Sequence, residues 1–302
     1  MSKFKAWVSA ARLRTLPLSI SGIIVGTSLA NLRGFSNYTI FTLALLTTIA
    51  FQITSNFAND YGDGVKGTDA ADRVGPRRAL QSGILTKREL KSGIVISILV
   101  CFVLALLLIY YSFGLKNLLY PLLFLVLAGF SVWAAIKYTM GESPYGYKGL
   151  GDLFVFIFFG LLAVLGTLFL YTKTIDTISL LPAISIGLLC VGVLNLNNLR
   201  DIESDKNHGK NTLIVKMGFN RGKKYHYTIL LISLICMVLF YIVSLNGYSR
   251  LFYFVAYLPI FVHLRKVYLT KFPVELDTEL KKLALSTFLL SCLFYIAVNY
   301  FS

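Results

Sequence analysis

The sequence predicts an all-α, polytopic membrane protein: a helix bundle of about nine transmembrane helices forming one domain over residues 1–302. Three observations carry this. The composition is 56% hydrophobic and only 14% charged, with a mean hydropathy of +0.71. The apolar residues gather into runs long enough to cross a hydrocarbon core of roughly 30 Å, about 20 residues each. The basic residues crowd into alternate connections between those runs.

The runs lie near residues 16–32, 39–58, 93–113, 117–137, 152–171, 178–197, 227–245, 251–269 and 283–301. Basic residues precede the first as they would a secretory leader, but eight further spans follow and no small-residue cleavage site is present, so it is read as retained. The second and sixth runs each end in an acidic, amide-rich cluster and open into a long polar loop. This placement, four spans apart, suggests a repeated unit with two similar faces. Cys101, Cys190, Cys236 and Cys292 all fall inside apolar runs without C-x-x-C spacing, which points to packing rather than a disulfide framework or zinc site. His208, His226 and His263 are isolated from one another in the sequence, and no metal role is expected of them.

Charge sets the orientation. With nine spans, one side takes residues 1–15, 59–92, 137–151, 199–225 and 264–282, which hold 25 of the 29 Lys and Arg. The other side holds Arg33, Lys116, Lys173 and Arg250. Positive residues mark the cytoplasmic face, so the amino terminus is expected there, in the cell's inner membrane, with the carboxyl terminus outside. The net charge of +15 is then a matter of topology and anionic lipid headgroups, and nucleic acid is excluded as a partner. Of fourteen acidic residues only Asp176 falls on the outer side. Topology does not demand that asymmetry of carboxylates, which suggests a functional cytoplasmic face.

The acidic clusters are N-F-A-N-D-Y-G-D, Asn56 to Asp63, and N-L-N-N-L-R-D-I-E-S-D, Asn195 to Asp205. On a helix, Asn56, Asn59, Asp60 and Asp63 share one stripe, and Asn197, Asn198, Asp201 and Asp205 another. Two facing sets of hard oxygen ligands suit Mg2+, which binds through one or two carboxylates together with substrate phosphates. Such ions bridge a diphosphate leaving group. The rival reading leaves these residues as solvated helix ends, with Asp201 paired to Arg200 or a nearby Lys. Basic residues near the stripes, Lys66, Arg73, Arg77, Arg78, Lys137, Lys148, Lys206 and Lys210, would suit phosphate.

With these residues in view the chain resembles the UbiA superfamily of intramembrane prenyltransferases, through N-D-Y-G-D at Asn59 to Asp63 and D-I-E-S-D at Asp201 to Asp205. Its finer text resembles the 1,4-dihydroxy-2-naphthoate polyprenyltransferases of menaquinone biosynthesis. The segments concerned are R-L-R-T-L-P (Arg12 to Pro17), N-D-Y-G-D-G-V-K-G-T-D (Asn59 to Asp69), D-R-V-G-P-R-R-A-L-Q-S-G (Asp72 to Gly83) and P-Y-G-Y-K-G-L-G-D (Pro144 to Asp152). Many superfamily members carry a further Asp four residues after the position of Asp63; this chain has Gly67 there, and Asp69 is the nearest acid.

The resemblance implies a bundle around a central cavity, capped by the two polar loops and open sideways to lipid. It implies that Asp60, Asp63, Asp201 and Asp205 carry the chemistry, with Asn59, Asp63, Asp69, Asp201 and Asp205 as Mg2+ ligands. Asn56, Asn59, Asn197, Asn198 and Lys66 would support the diphosphate, Lys137 would contact it, and Arg14 or Arg78 would receive the aromatic acid. Tyr147 and Asp152 belong to the middle-loop motif. The expected partners are a polyprenyl diphosphate, 1,4-dihydroxy-2-naphthoate and membrane lipid. Two other readings stand beside this one: a related prenyltransferase with another acceptor, such as 4-hydroxybenzoate, and a cation transporter, which would place its carboxylates near the bilayer midplane on broken helices.

Overall fold

The computed structural model describes residues 2–67, 78–115, 117–245 and 247–300. Asp69, Arg73 and Arg77 lie outside the described residues. Among those described there are nine helical segments long and apolar enough to cross a membrane.

A short helix α1 (Lys3–Ala11) leads through a turn into α2 (Leu16–Leu32), and α3 (Tyr38–Lys66), α4 (Lys87–Phe113) and α5 (Leu119–Lys137) follow. Next come α6 (Gly151–Thr172), α7 (Leu180–Arg200), and the short α8 (Ile202–Asn207) and α9 (Leu213–Met217). The chain ends with α10 (Phe219–Ser244), α11 (Tyr248–Leu269) and α12 (Asp277–Tyr300). The first spanning helix packs against the last, α2 on α12, and α7 touches α2, α6, α10 and α12, so the bundle closes around α2 and α7.

Several helices outrun the apolar runs that nucleate them. At 29 residues and 1.5 Å per residue, α3 is roughly 43 Å long, well beyond a hydrocarbon core of about 30 Å. The last turns of this long helix carry the first acidic motif.

A small satellite core fixes that end of α3. Ala6, Ala10 and Ala11 of α1 pack with Phe57 of α3, Ala79, Leu85, and Leu90 and Ile94 of α4. The Trp7 and Phe57 rings meet at 5.2 Å between centroids, edge to face. Helix α4 begins in a capping box: Thr86 Oγ1 accepts from the Glu89 backbone at 3.2 Å, and Glu89 Oε2 accepts from the Thr86 backbone at 2.9 Å.

Two of the histidines that look isolated in the sequence are in contact. His226 of α10 and His263 of α11 face each other through their Nε2 atoms at 2.9 Å. His226 Nδ1 meets Asn195 Oδ1 of α7 at 3.0 Å, and His263 Nδ1 meets Glu279 Oε2 of α12 at 2.8 Å. Lys282 Nζ donates to Glu279 Oε1 at 2.6 Å. Four helices are thus joined by one buried polar line, which polar groups in an apolar interior need for mutual satisfaction. Three cysteines are buried and Cys292 is half-buried, all as free thiols, as their place in apolar runs predicts.

Candidate active site

The first motif occupies the end of α3, but its residues do not share one task. Asn56 donates from Nδ2 to the Ala11 carbonyl at 2.8 Å and to Thr15 Oγ1 at 3.2 Å, and its Oδ1 accepts from Gln52 at 3.1 Å. Both N–H donors of its amide are taken at the α1–α2 joint, which leaves only Oδ1, already accepting from Gln52, to meet a ligand. Asp60 is 1% exposed; its Oδ2 accepts the Ala79 N–H at 3.1 Å while Oδ1 is buried without a hydrogen-bond partner. Asp63 accepts from Arg78 Nη1 at 2.5 Å and from Tyr147 Oη at 2.8 Å. Arg78 also donates to the Asn59 carbonyl at 3.0 Å, and Asn59 Oδ1 accepts from Thr139 Oγ1 at 3.3 Å.

Two glycines make this geometry possible. A Cβ on Gly62 would stand 2.4 Å from Thr139 Oγ1 and 2.8 Å from the Thr139 carbonyl carbon. Only glycine lets the segment after α5 close on the motif. Gly67 ends α3 at φ +74° with its N–H on the Asp63 carbonyl. That left-handed cap favours glycine at this position.

The second motif is interrupted. Helix α7 ends at Arg200, Asp201 sits at the joint with φ −94° and ψ 11°, and Asp205 lies in α8. The predicted continuous stripe is therefore two short helical pieces, although the hydrogen bonds from Asp201 N to the Asn197 carbonyl (3.0 Å) and from Asp205 N to the Asp201 carbonyl (2.8 Å) carry on across the break. Arg200 Nε donates to Asp201 Oδ1 at 2.8 Å and Nη2 to Oδ2 at 2.7 Å. The same guanidinium reaches Asn197 Oδ1 at 3.0 Å and Asp277 Oδ1 at 2.6 Å. Asp201 is thus held by its neighbour, as the rival sequence reading has it. Asn198 is buried beside it. Asp205 Oδ1 lies 3.6 Å from Lys210 Nζ, and its Oδ2 is buried without a hydrogen-bond partner.

Tyr147 joins the two motifs. Its hydroxyl holds Asp63, while Lys66 Nζ lies 4.6 Å and Lys210 Nζ 5.7 Å from its ring centroid. Lys210 in turn pairs with Asp205. Burial pushes the Asp205 carboxyl up to about 6, with the negative charges of Asp201 and Asp63 adding to the push against the pull of Lys210. Tyr138, missed in the sequence although it follows Lys137 directly, is pushed up by burial and by Asp63, Asp152 and Asp205 around it. It is a phenol kept protonated amid carboxylates from three helices.

The remaining candidates divide. Arg14 stands within electrostatic reach of Arg200, Asp277 and Arg78. Asp152 is 8% exposed and within electrostatic reach of Tyr138 and Tyr225, with Oδ2 buried and without a hydrogen-bond partner. Lys137 does not join the group: it is exposed, with its ammonium beside Gly141. Its helical neighbours Ala134, Ala135 and Tyr138 line the cavity instead, because adjacent residues of a helix point about 100° apart.

Among the described residues no three His, Cys, Asp or Glu side chains form a cage that could hold a metal by themselves. The orphaned oxygens of Asp60 and Asp205 suit a hard cation that shares its shell with water and a phosphate, which is the habit of Mg2+. The acids stand at helix ends, not at the midplane positions the transporter reading requires.

Beside the motifs opens a cavity of roughly 350 Å³. Its near end is polar, with Asn59, Gln52, Ser55, Ser19 and Tyr138; its far end is apolar, with Ala44, Leu108, Ile109, Phe124 and Leu170. Phe51, Phe154, Phe158 and Phe159 supply ring faces between.

These features define an intramembrane helix bundle whose cavity starts at Asn59 of the first acidic motif and runs into a mainly apolar interior. The sequence profile of the UbiA prenyltransferase family matches residues 19–298. The chain belongs to that family. It is 44% identical over 247 residues to a 1,4-dihydroxy-2-naphthoate octaprenyltransferase of Escherichia coli (strain K12), covering 82% of this chain and 80% of that one. It is 42% identical over 296 residues to the Haemophilus influenzae protein of the same name, covering 97% and 95%. The fold is similar to that of a UbiA homologue from Aeropyrum pernix K1, with a TM-score of 0.71 at 16% identity over 93% of this chain and 97% of that one. It is also similar to a UbiA homologue from Archaeoglobus fulgidus bound to DMAPP and Mg2+, with a TM-score of 0.62 at 15% identity over 95% and 99%.

Proposed function

We propose that this protein transfers a polyprenyl group from a polyprenyl diphosphate to 1,4-dihydroxy-2-naphthoate, releasing pyrophosphate and CO2 and giving demethylmenaquinone in its reduced, quinol form. The observation that carries this is the juxtaposition of the two acidic motifs, joined through Tyr147 and Lys210, with a cavity graded from polar to apolar. The relatives that share most of its length carry that activity in their names.

Asp63 and Asp205, with Asn59, Asp60 and Asp201 beside them, are the residues that would hold Mg2+; when bound, the ion neutralises charge developing on the leaving pyrophosphate. Lys66, Arg78 and Lys210 neutralise the remaining phosphate oxygens through charge-assisted hydrogen bonds. Arg14 and Arg78 suit the carboxylate of the naphthoate. The apolar wall keeps water from the allylic carbon, and the phenylalanine faces favour positive charge developing there. A ring carbon of the acceptor supplies the pair for the new C–C bond. The C–O pair leaves with pyrophosphate, and the pair of the ring–carboxylate bond returns to the ring as CO2 departs. The positive-inside distribution supports a location of this end of the bundle at the cytoplasmic face of the inner membrane.

The test is conversion of 1,4-dihydroxy-2-naphthoate and a polyprenyl diphosphate by membranes containing the protein, with and without Mg2+, and with 4-hydroxybenzoate in parallel. Prenylated naphthoquinone with CO2 release only when Mg2+ is present is the expected result. Product from 4-hydroxybenzoate alone moves the acceptor, and no product from either overturns the reading.

A further inference from the structure

Helix α6 forms one wall of the cavity in an unusual way. Residues Phe156–Gly166 are π-helical, far longer than the single wide turn usually found. The cavity-lining residues of α6 fall in two columns spaced by four: Phe154, Phe158, Leu162, Gly166 and Leu170, and beside them Val155, Phe159, Ala163 and Thr167. On an α-helix each step of four creeps ahead by about 40°, so such a column would leave the cavity within a few steps. In the wider i→i+5 turn a step of four falls short of a full turn instead, so the π-helical stretch turns the columns back against the drift of the α-helical ends and keeps them on the cavity side.

Along that wall one residue lacks a packing reason. A Cβ on Gly22 would come within 2.5 Å of Ala163, one on Gly26 within 2.5 Å of the Val164 carbonyl, and one on Gly160 within 2.6 Å of Gly187. These glycines let helices touch. A Cβ on Gly166 meets only Leu162 of its own helix, at 3.3 and 3.9 Å, and otherwise open space. Gly166 therefore buys no helix contact; it leaves part of the cavity empty. Its position is at the far end, twelve residues along α6 from Phe154. On the opposite wall the lining of α3 runs from Asn59 to Ala44, roughly 22 Å.

We propose that the missing side chain at Gly166 sets how long an isoprenoid tail the cavity accepts, with Leu162 as the neighbouring stop. This rests on the prenyl-diphosphate reading of the site and adds a residue that selects the donor. A tail of several isoprene units must pass Gly166, whereas a geranyl tail ends short of it. A branched side chain there blocks the first and spares the second.

The experiment compares geranyl, geranylgeranyl and octaprenyl diphosphates as donors for the wild type, Gly166→Ala, Gly166→Leu, and Gly166→Leu combined with Leu162→Ala. Gly166→Leu is expected to lower kcat/KM for the two longer donors at least tenfold more than for geranyl diphosphate, Gly166→Ala to fall between, and Leu162→Ala to restore the longer donors. Parallel loss across all three donors, or an unchanged profile, overturns the inference. Melting shifts of the purified proteins with each diphosphate and Mg2+ give a second readout. If the wild type is stabilised by the donors but prenylates no acceptor, the acceptor assignment fails while the chain-length dependence is still decided by those shifts. For a Gly166→Leu protein that does not fold, Leu162→Ala alone must shift preference toward the longer donors, and failure to do so overturns the proposal.

Discussion

Arg200 grips its own neighbour, Asp201, through both arms of its guanidinium, Nε to Oδ1 and Nη2 to Oδ2 at 2.8 and 2.7 Å, with the Arg200 side chain 3% and the Asp201 side chain 5% exposed. The pair holds the joint between α7 and α8, and Asp277 ties it to α12. Removing Arg200 strips a buried carboxylate of its two-point partner, which costs about 3 kcal/mol. Arg200→Ala is expected to lower the melting temperature of the purified protein in EDTA by several degrees, and Mg2+ with pyrophosphate to restore part of the loss. Arg200→Lys keeps the charge without the fork and should fall between. A melting temperature equal to wild type for Arg200→Ala would remove Arg200 from this role.

Tyr147 can be dissected one atom at a time. Tyr147→Phe deletes the hydrogen bond to Asp63 and keeps the ring beside Lys66 and Lys210. A hydrogen bond to a charged group contributes about 1.5–3 kcal/mol, so kcat/KM should fall roughly ten- to a hundredfold. Tyr147→Ala, which also loses the ring, should fall further. Steady-state kinetics that rank the two variants in the opposite order would refute the bridging role.

Asp205 gives the site a pH signature. Its carboxyl is raised from 3.8 to about 6 by burial and by Asp201 and Asp63, so below about 6 it holds a proton that a cation must displace. The Mg2+ concentration for half-maximal activity is expected to rise about tenfold per pH unit below 6, to level off above it, and to lose this slope in Asp205→Asn. In the metal-free protein the sign is that of a raised acid. The folded state binds the proton more tightly than the unfolded chain, so this group's stabilising contribution is full below 3.8 and disappears as pH rises through 6. Urea or thermal melts of the EDTA-treated protein across pH 4–8 would check that sign.

The line from Asn195 through His226 and His263 to Glu279 should behave as a structural unit. Glu279 is fully buried and held by His263 and Lys282, so His263→Ala strips a partner from a buried carboxylate and should destabilise by about 3 kcal/mol. Removing His226 as well should add less than its single effect, because the two act in one network. Fully additive losses in detergent melts would contradict the connection.

The architecture was legible because apolar runs of span length report burial directly, and the acid motifs were legible because charge beside hydrocarbon needs a reason. What stayed hidden depended on height and on neighbours in other helices. Asn56 shares a helical stripe with Asp63, yet two turns lower it meets the α1–α2 joint instead of the ligand end. Lys137 and Tyr138 are adjacent, yet the helix points only Tyr138 into the cavity. His226 and His263 are 37 residues apart, and no periodicity within one helix reports a contact between two. Pairing of Asp201 with Arg200 was among the sequence readings, but its two-point form and the tie to Asp277 became visible only in the side-chain geometry.

The spacing of four along α6 has a consequence for how this wall can change. A residue inserted or deleted between Phe154 and Leu170 would turn every later lining position away from the cavity and swing Gly166 into a neighbour. The loops can grow or shrink, but this segment can vary only by replacement at fixed length. Divergence in donor use among such chains should accordingly be written in the side chains of the α6 columns, with the count of residues between them held constant.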